Sequence, residues 1–162
     1  MAKEEIDMDL YRSCRQSVKI GMWAIAVALW ILSSNANAIC LQPQEEGTWL
    51  NIDTNTRSIS KLKVEFTCQD QILNGQPYPP GAPWHMQVWG KCHPTDCDWG
   101  RVDATRLGTD HLYAYYNQGF AKRYVYAKMS AYLPGHLWVY IWTDFTDPNR
   151  RDYAIHAWFK RQ

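Results

Sequence analysis

Apolar and polar residues alternate with a period of two along most of the chain after residue 47. In the segment KLKVEF, residues 61–66, every second residue is apolar and the others are charged, which is typical of a strand with one buried face. Segments rich in Gly, Pro, Asn and Asp separate runs of this kind. The predicted strands are Thr48–Ile52, Ile59–Cys68, Trp84–Lys91, Trp99–Leu107, His111–Asn117, Arg123–Ala131, Leu137–Phe145 and Tyr153–Arg161. Because most connectors are short, we expect an all-β fold, an eight-stranded antiparallel up-and-down β-barrel, with an open sandwich as the alternative.

One predicted strand is apolar on both faces. In LWVYIW, residues 137–142, aliphatic and aromatic residues alternate, so this strand is covered on both sides or lines a cavity. Rings that face inward would stack on a flat ligand or a sugar ring. The rings assigned to this ligand-binding pocket are Tyr113, Tyr115, Trp138, Tyr140 and Trp142. In the alternative, the rings face outward into a subunit interface of a homo-oligomer, and aliphatic side chains fill a solid core.

The part of the chain before the strands has the layout of an export signal. The apolar run Ile20–Leu32 follows basic residues and precedes Ala36-Asn37-Ala38, a small-residue cleavage site. The run is shorter than the roughly 20 residues that cross a bilayer as a helix. We therefore predict a signal peptide over residues 1–38, in the form of a signal helix, and a single β-barrel domain over residues 39–162. The domain would be exported, to the periplasm or beyond, with no membrane contact after cleavage. An uncleaved signal anchor is the alternative.

The cysteines fit this picture. Cys14 belongs to the leader, and four cysteines remain, an even number that predicts disulfides in an exported chain but allows three pairings. In an up-and-down barrel, Cys40 and Cys68 share one end, whereas Cys92 and Cys97 flank a turn at the other. We therefore predict the pairs Cys40–Cys68 and Cys92–Cys97. A zinc site in the loop that contains Cys92 and Cys97 is disfavoured, since no further Cys or His pair completes a tetrahedral ligand set.

Charge and motifs narrow the classes of function. Lys and Arg number 17 against 16 Asp and Glu, and no basic block occurs, which argues against nucleic acid or an anionic membrane as partner. The chain lacks G-x-S-x-G, HExxH and a phosphate-binding glycine loop, so we expect no enzyme, no metal and no cofactor. An acid–base pair assembled across strands stays open. The oxygen-rich segment 144–152 is interpreted as a type I turn at Asp147-Pro148-Asn149-Arg150 rather than a calcium site.

The first strand resembles that of a known group of barrels. Gly47-Thr48-Trp49-Leu50-Asn51 is similar to the Gly-x-Trp opening of the calycins, the lipocalins and avidins, and especially to the avidin start. The resemblance implies a closed barrel, a ligand near Asn51, and a basic residue of the last strand, Arg161 or Lys160, packed across Trp49. It covers the first strand, the strand count and the last strand. The long loop after the second strand departs from the lipocalin pattern, and biotin is not implied.

Two hypotheses for function follow. The first is an exported non-catalytic binding protein for a small apolar, aromatic or sugar-containing ligand, held in or at the mouth of the barrel by Trp49, Asn51 and the rings named above. The second is a secreted protein-interaction module or enzyme inhibitor that acts through loops at residues 76–83, 93–98 and 144–151. A ligand-filled lumen favours the binder, and a solid interior with outward rings favours the interaction module. The segment Gly90–Gly100 also resembles uncharacterised exported bacterial proteins, which supplies no function.

Overall fold

A computed structural model describes residues 40–162, which contain ten β-strands. The strands are β1 (Gly47–Asn51), β2 (Ile59–Phe66), β3 (Gln71–Leu73), β4 (Gln76–Tyr78), β5 (Trp84–Gly90), β6 (Cys97–Leu107), β7 (His111–Asn117), β8 (Ala121–Met129), β9 (His136–Phe145) and β10 (Tyr153–Arg161). The predicted signal peptide, residues 1–38, and its signal helix lie outside the described residues. Within residues 40–162, no helix is long and apolar enough to cross a membrane.

Eight of these strands form a closed antiparallel barrel in the order β1-β10-β9-β8-β7-β6-β5-β2. Strands that follow one another in the chain are neighbours in the barrel, and β2 pairs with β5 because the hairpin β3–β4 lies outside the barrel. The first and last strands, β1 and β10, also pair with each other. Closure joins the backbone groups that would otherwise form two open edges. The prediction of an all-β, eight-stranded up-and-down barrel is therefore confirmed, and the open sandwich is excluded.

The connection between β2 and β5, which the sequence predicts as a loop, contains a small hairpin. Strands β3 and β4 pair only with each other, around the dipeptide Asn74-Gly75. Both residues have positive φ, 53° and 77°, as a two-residue hairpin turn of the favoured type requires. Asn-Gly was thus a local signal for this hairpin. The short strands on either side of it are fully exposed, so no alternation of buried apolar and exposed polar residues marked them as strands.

The barrel is solid. Side chains on the inner face of the strands are almost completely buried and fill the lumen at the packing expected of an eight-stranded barrel. The largest fully buried side chains are Trp49, Tyr116, Phe159, Ile59, Leu62, Met86, Leu112, Leu137, Ile141, Val64, Val88 and Val125. The small residues Ala104, Ala114 and Ala127 are buried on the same inner face.

Two disulfides close segments at opposite ends of the barrel. Cys40 is bonded to Cys68, with Cα atoms 5.8 Å apart, and Cys92 to Cys97, with Cα atoms 5.5 Å apart. These are the predicted pairs, and their positions define the two ends of the barrel, called here the Cys40 end and the Cys92 end. Disulfides are consistent with an oxidising environment outside the cytoplasm.

Candidate functional site

The outer surface of β7, β8, β9 and β10 carries a continuous group of aromatic rings, called here the aromatic face. Its members are Tyr113, Tyr115, Tyr124, Tyr126, Trp138, Tyr140, Trp142 and Trp158. Side chains alternate between the two sides of each strand, and the strands pair in a register that sets outward positions beside outward positions. The face therefore follows from three neighbouring strands, β7, β8 and β9, that place aromatic residues at successive outward positions, and from Trp158, the one outward ring of β10.

The rings of β9 do not line the lumen, contrary to the first expectation from the sequence. Val139 and Ile141 are about 1% exposed and occupy the interior, whereas Trp142, on the other side of the same strand, is 38% exposed. The alternative orientation is the one observed. The lumen is already filled by Trp49, Tyr116 and other inward side chains, so it has no room for a second set of large rings.

Cross-strand rows order the rings of the aromatic face. Tyr113, Tyr126 and Tyr140 are successive partners on β7, β8 and β9, with ring centres 5.2 Å and 6.0 Å apart. Along β9, the rings of Trp138 and Tyr140 are only 16° from parallel, with centres 6.1 Å apart. Trp158 of β10 extends the row beyond Trp138, at 6.5 Å. Trp138 and Tyr140 are both partly exposed and line the same groove, so a ligand there can contact both rings.

A shallow groove of about 600 Å³ runs over this face. Its walls combine rings with two polar groups, and the lining residues are His111, Tyr124, Tyr126, Trp138, Tyr140, Trp142 and Asp144. His111 and Asp144 lie on different strands of the face, β7 and β9. The groove therefore presents apolar ring faces together with phenolic hydroxyls, an imidazole and a carboxylate, which are able to donate and accept hydrogen bonds.

Charged side chains lie along one edge of the aromatic face. The Asp110 carboxylate contacts His111 Nδ1 at 2.7 Å and Lys128 Nζ at 3.5 Å, and the Lys128 ammonium lies 5.7 Å from the Trp138 ring. Desolvation opposes ionisation of Asp110, but the hydrogen bond from His111 and the nearby cations outweigh it and lower the pKa of this carboxyl. Burial, with a smaller effect of the neighbouring phenols, raises the pKa of Tyr113, which keeps its hydroxyl neutral.

The opposite half of the barrel surface is charged rather than aromatic. Glu65 on β2 accepts a 2.5 Å hydrogen bond from Arg101 on β6 and a 2.5 Å contact from Lys63. The hydrogen bond from Arg101, followed by that from Lys63, lowers the pKa of Glu65. The one outward Trp of β5, Trp89, is covered by the Lys61 ammonium at 3.8 Å. Outward aromatic rings are thus concentrated on one side of the barrel.

Trp49 and Asn51 lie on the inner face of β1, away from the aromatic face. Trp49 is fully buried and its Nε1 donates to the Glu45 carbonyl at 2.9 Å. Asn51 Nδ2 donates to the Ile59 carbonyl at 2.7 Å, and Asn51 Oδ1 accepts from the Asp53 backbone N–H at 2.9 Å. These contacts satisfy both side chains within the fold. The structure therefore brings together the five rings of the predicted site but not Trp49 and Asn51.

The segments considered for metal binding have other roles. The thiolates that zinc would require are bonded to each other in the Cys92–Cys97 disulfide. Of the described residues, Cys40, Cys68 and Asp70 have ligand atoms close enough to share an ion, but the two sulfurs belong to a disulfide. The Asp147 carbonyl accepts from Arg150 N at 3.0 Å, which is the hydrogen bond of the predicted type I turn.

Sequence reasoning missed several members of the aromatic face. Tyr124 and Tyr126 alternate with Val125 and Ala127, the same period that marked the other strands, and this signal was present in the sequence. Trp158 likewise alternates with inward residues of β10. What the sequence could not supply was the grouping of these positions, which depends on the register between four strands.

Comparison of the chain with protein-family models, curated proteins and solved structures found no match.

Proposed function

We propose that this protein is an exported, non-catalytic binding protein whose binding surface is the aromatic face, and that its ligand is a sugar-containing molecule. The observation that carries the proposal is the groove over β7–β9, where the nearly parallel rings of Trp138 and Tyr140 lie beside polar groups. The two disulfides support export. The proposed ligand position is on the outside of the barrel wall rather than in the lumen.

Two properties of the groove favour a sugar over a purely apolar ligand. Sugar rings have C–H faces that pack on indole and phenol rings, and hydroxyl edges that need hydrogen-bond partners. The groove supplies the first through Trp138 and Tyr140 and the second through His111, Asp144 and the hydroxyl of Tyr126. An apolar ligand would leave these polar groups unpaired, which costs free energy.

We further propose a calycin-like relationship for the barrel. It is supported by the closed eight-stranded topology and by Arg161, whose guanidinium lies 4.5 Å from the centre of the Trp49 ring. Of the two basic residues considered for this position, Arg161 makes the contact. The relationship concerns the fold, and the proposed binding surface does not depend on it.

The test compares two tryptophan variants. Trp138→Ala removes a central ring of the aromatic face, whereas Trp89→Ala, the matched control, removes an outward ring on the charged side. The probes are soluble β-1,4-linked oligosaccharides of glucose and of N-acetylglucosamine, measured by isothermal titration calorimetry. We expect the wild type and Trp89→Ala to bind one of these series, and Trp138→Ala to bind it at least tenfold more weakly, a loss of about 1.4 kcal/mol.

Two results would contradict the proposal. One is equal affinity of Trp138→Ala and the wild type, with both variants folded by circular dichroism. The other is a concentration-dependent dimer, seen by analytical ultracentrifugation, that Trp138→Ala dissociates while no oligosaccharide binds. That second result would assign the aromatic face to an interface between copies of the chain.

The second candidate function is the protein-interaction module, which the solid lumen and the outward rings favour by the criterion given from the sequence. A further observation at the loops supports the same candidate. The Cys40 end of the barrel exposes apolar side chains on separate segments: Leu41 is 84% exposed, Ile72 69% and Tyr132 91%. Ile72 belongs to the β3–β4 hairpin, which protrudes within the β2–β5 connection. Exposed apolar side chains on loops are typical of contact surfaces for proteins. If this candidate is correct, replacement of Ile72 and Tyr132 by Ser should abolish binding of the partner protein in a pull-down experiment. Oligosaccharide binding should be unchanged.

A further inference from the structure

A second pocket, separate from the aromatic face, lies at the Cys92 end of the barrel and depends on a β-bulge. The pairing between β5 and β6 shifts between Gln87 and Trp89, and Gly100 adopts φ of 88° on the opposite strand. The bulge inverts the alternation of β6, as bulges commonly do near binding sites. Trp99 consequently turns inward, where it packs against Gly90. A Cβ atom at residue 90 would lie 2.8 Å from Trp99 Nε1, so glycine is required there.

Arg123 is the central residue of this pocket. It occupies an inner position of β8, in phase with Val125, and its guanidinium stacks on the Trp99 ring at 4.1 Å and lies 6.0 Å from the Phe120 ring. The side chain is more than half buried, and burial lowers the pKa of the guanidinium, although it stays cationic. Within residues 40–162, no ion pair involves Arg123, and its buried Nε has no hydrogen-bond partner.

Two residues that line this pocket, and the cross-strand partner of Arg123, each have a buried polar atom without a hydrogen-bond partner. These atoms are Arg123 Nε, Gln118 Oε1 and Thr143 Oγ1, and they account for three of the four such side-chain atoms in the described part of the chain. Thr143 is the direct cross-strand partner of Arg123 on β9. Gln118 follows β7, in the turn that leads into β8. Buried polar groups are normally paired, so several unpaired ones in and beside one pocket indicate a binding site.

The charge of the pocket selects an anion. Arg57 lines the pocket beside Arg123, and the positive charge of Arg150 acts on Arg123 as well. The carboxylate of Asp98 also lines the pocket, but its two oxygens accept hydrogen bonds from Gln87 Nε2 at 2.6 Å and from Gly100 N at 2.8 Å. Asp98 is therefore engaged along the strands rather than with Arg123.

The size and the walls of the pocket select the kind of anion. Its volume is about 230 Å³, and rings together with a disulfide form much of its wall. The lining rings are Trp99, Phe120 and Tyr153. A guanidinium presents planar N–H donors that match a carboxylate, and apolar walls suit an organic group attached to it. We propose that this pocket binds a small organic carboxylate, with Arg123 as the residue that recognises the anion.

The experiment observes the Arg123 Nε–H group directly. In ¹⁵N-labelled full chain, the Nε–H resonance of Arg123 is assigned by its loss in Arg123→Gln and followed during titration with benzoate. Benzamide, a neutral molecule of the same shape, and inorganic phosphate serve as comparison probes. We expect benzoate to shift the resonance and benzamide to leave it unchanged. N-acetylphenylalanine and its amide form a second pair, which reports whether the C-terminus of a peptide is also accepted.

Variants extend the test. Arg123→Gln should weaken benzoate binding at least tenfold, about 1.4 kcal/mol. Lys122→Gln removes the same charge from the adjacent outward residue and should have no effect. If Arg123→Gln does not fold, Arg123→Lys is the second variant. It keeps the charge but loses the planar set of N–H donors, and it should also weaken benzoate binding. An unshifted resonance, equal shifts by benzoate and benzamide, or a response to phosphate alone would each overturn the proposal. Oligosaccharide binding at the aromatic face is measured separately, so the two proposals fail independently.

Discussion

Arg161 and Trp49 are direct cross-strand partners where the last strand of the barrel meets the first, and the Arg161 guanidinium lies 4.5 Å from the centre of the Trp49 ring. The same guanidinium donates to the Glu46 carbonyl and, at 2.6 Å, to the Gln44 carbonyl. One side chain of β10 thus holds both β1 and the segment that precedes it. That segment covers the Cys40 end of the lumen, since its Glu45 carbonyl binds Trp49 Nε1.

Replacement of Arg161 by Met should lower the free energy of unfolding by about 1–3 kcal/mol, because a cation–π contact and two hydrogen bonds from a charged donor are lost. Urea denaturation followed by tryptophan fluorescence measures the change. Lys160→Met removes a charge from the neighbouring exposed position and should cost less than about 0.5 kcal/mol. Equal losses in the two variants would show that Arg161 contributes only its charge.

Replacement of Asn51 by Ala should destabilise the fold by about 1–3 kcal/mol, because the buried Ile59 carbonyl then lacks a donor. The control is Asn117→Ala, at an exposed position whose side chain accepts a hydrogen bond within a turn, from Gly119 N. We expect oligosaccharide binding by folded Asn51→Ala to equal that of the wild type. Weaker binding at unchanged stability would instead support the ligand role that the sequence resemblance implied for Asn51.

The two disulfides should differ in their contribution to stability. The bond Cys40–Cys68 closes a loop with a sequence separation of 28 residues, and Cys92–Cys97 one of 5 residues. In the chain-entropy description, the longer loop gives the larger effect, by roughly 1–2 kcal/mol. Paired Cys→Ser variants compared by thermal denaturation measure the difference. A larger loss from the shorter loop would indicate that its main effect is on the native Cys92 end, where Cys92 and Cys97 line the Arg123 pocket.

The ion pairs of Glu65 should make stability depend on pH in the acid range. Hydrogen bonds from Arg101 and Lys63 lower the pKa of Glu65 in the folded protein below its ordinary value of 4.5. The contribution is therefore fully present above about pH 4.5 and is lost as the pH falls through the folded pKa. Since the groups are partly exposed, we expect less than about 1 kcal/mol.

The measurement is the urea midpoint of the wild type and of Glu65→Gln at neutral pH and near pH 3. The difference between the two proteins should shrink as the pH falls, because an increasing fraction of the wild-type carboxyl becomes protonated. Arg101→Gln removes the charged hydrogen-bond donor to Glu65 and should therefore also reduce the pH dependence of stability. A difference that is constant across this range would show that the hydrogen bonds of Glu65 do not depend on its charge.

The number and pairing of the barrel strands could be predicted from the sequence because they depend on local signals. The alternation in residues 61–66 and the turn chemistry between runs require no knowledge of distant contacts. The orientation of β9 was different. Its residues are apolar on both sides, so alternation alone could not decide whether Trp138 or Val139 faces the lumen. The volume available inside the barrel decides it, and that volume depends on side chains from all eight strands.

The pocket at the Cys92 end could likewise be predicted only in part from the sequence. Arg123 is in phase with Val125 on β8, so the sequence contained the information that a cation points inward. The inward turn of Trp99 was not predictable, because it follows from a bulge at Gly100 that depends on the pairing of β5 with β6. A site that depends on a change of register between strands therefore cannot be predicted from the sequence of each strand alone.

The seam between β1 and β10 also has a consequence for the order of folding. Trp49 and Arg161 lie near opposite ends of the barrel-forming segment, so closure joins residues that are far apart in the sequence. Such contacts form late, because a long loop must first be ordered at a cost in conformational entropy. Until β1 and β10 pair, both keep an unpaired edge that is open to association with other chains.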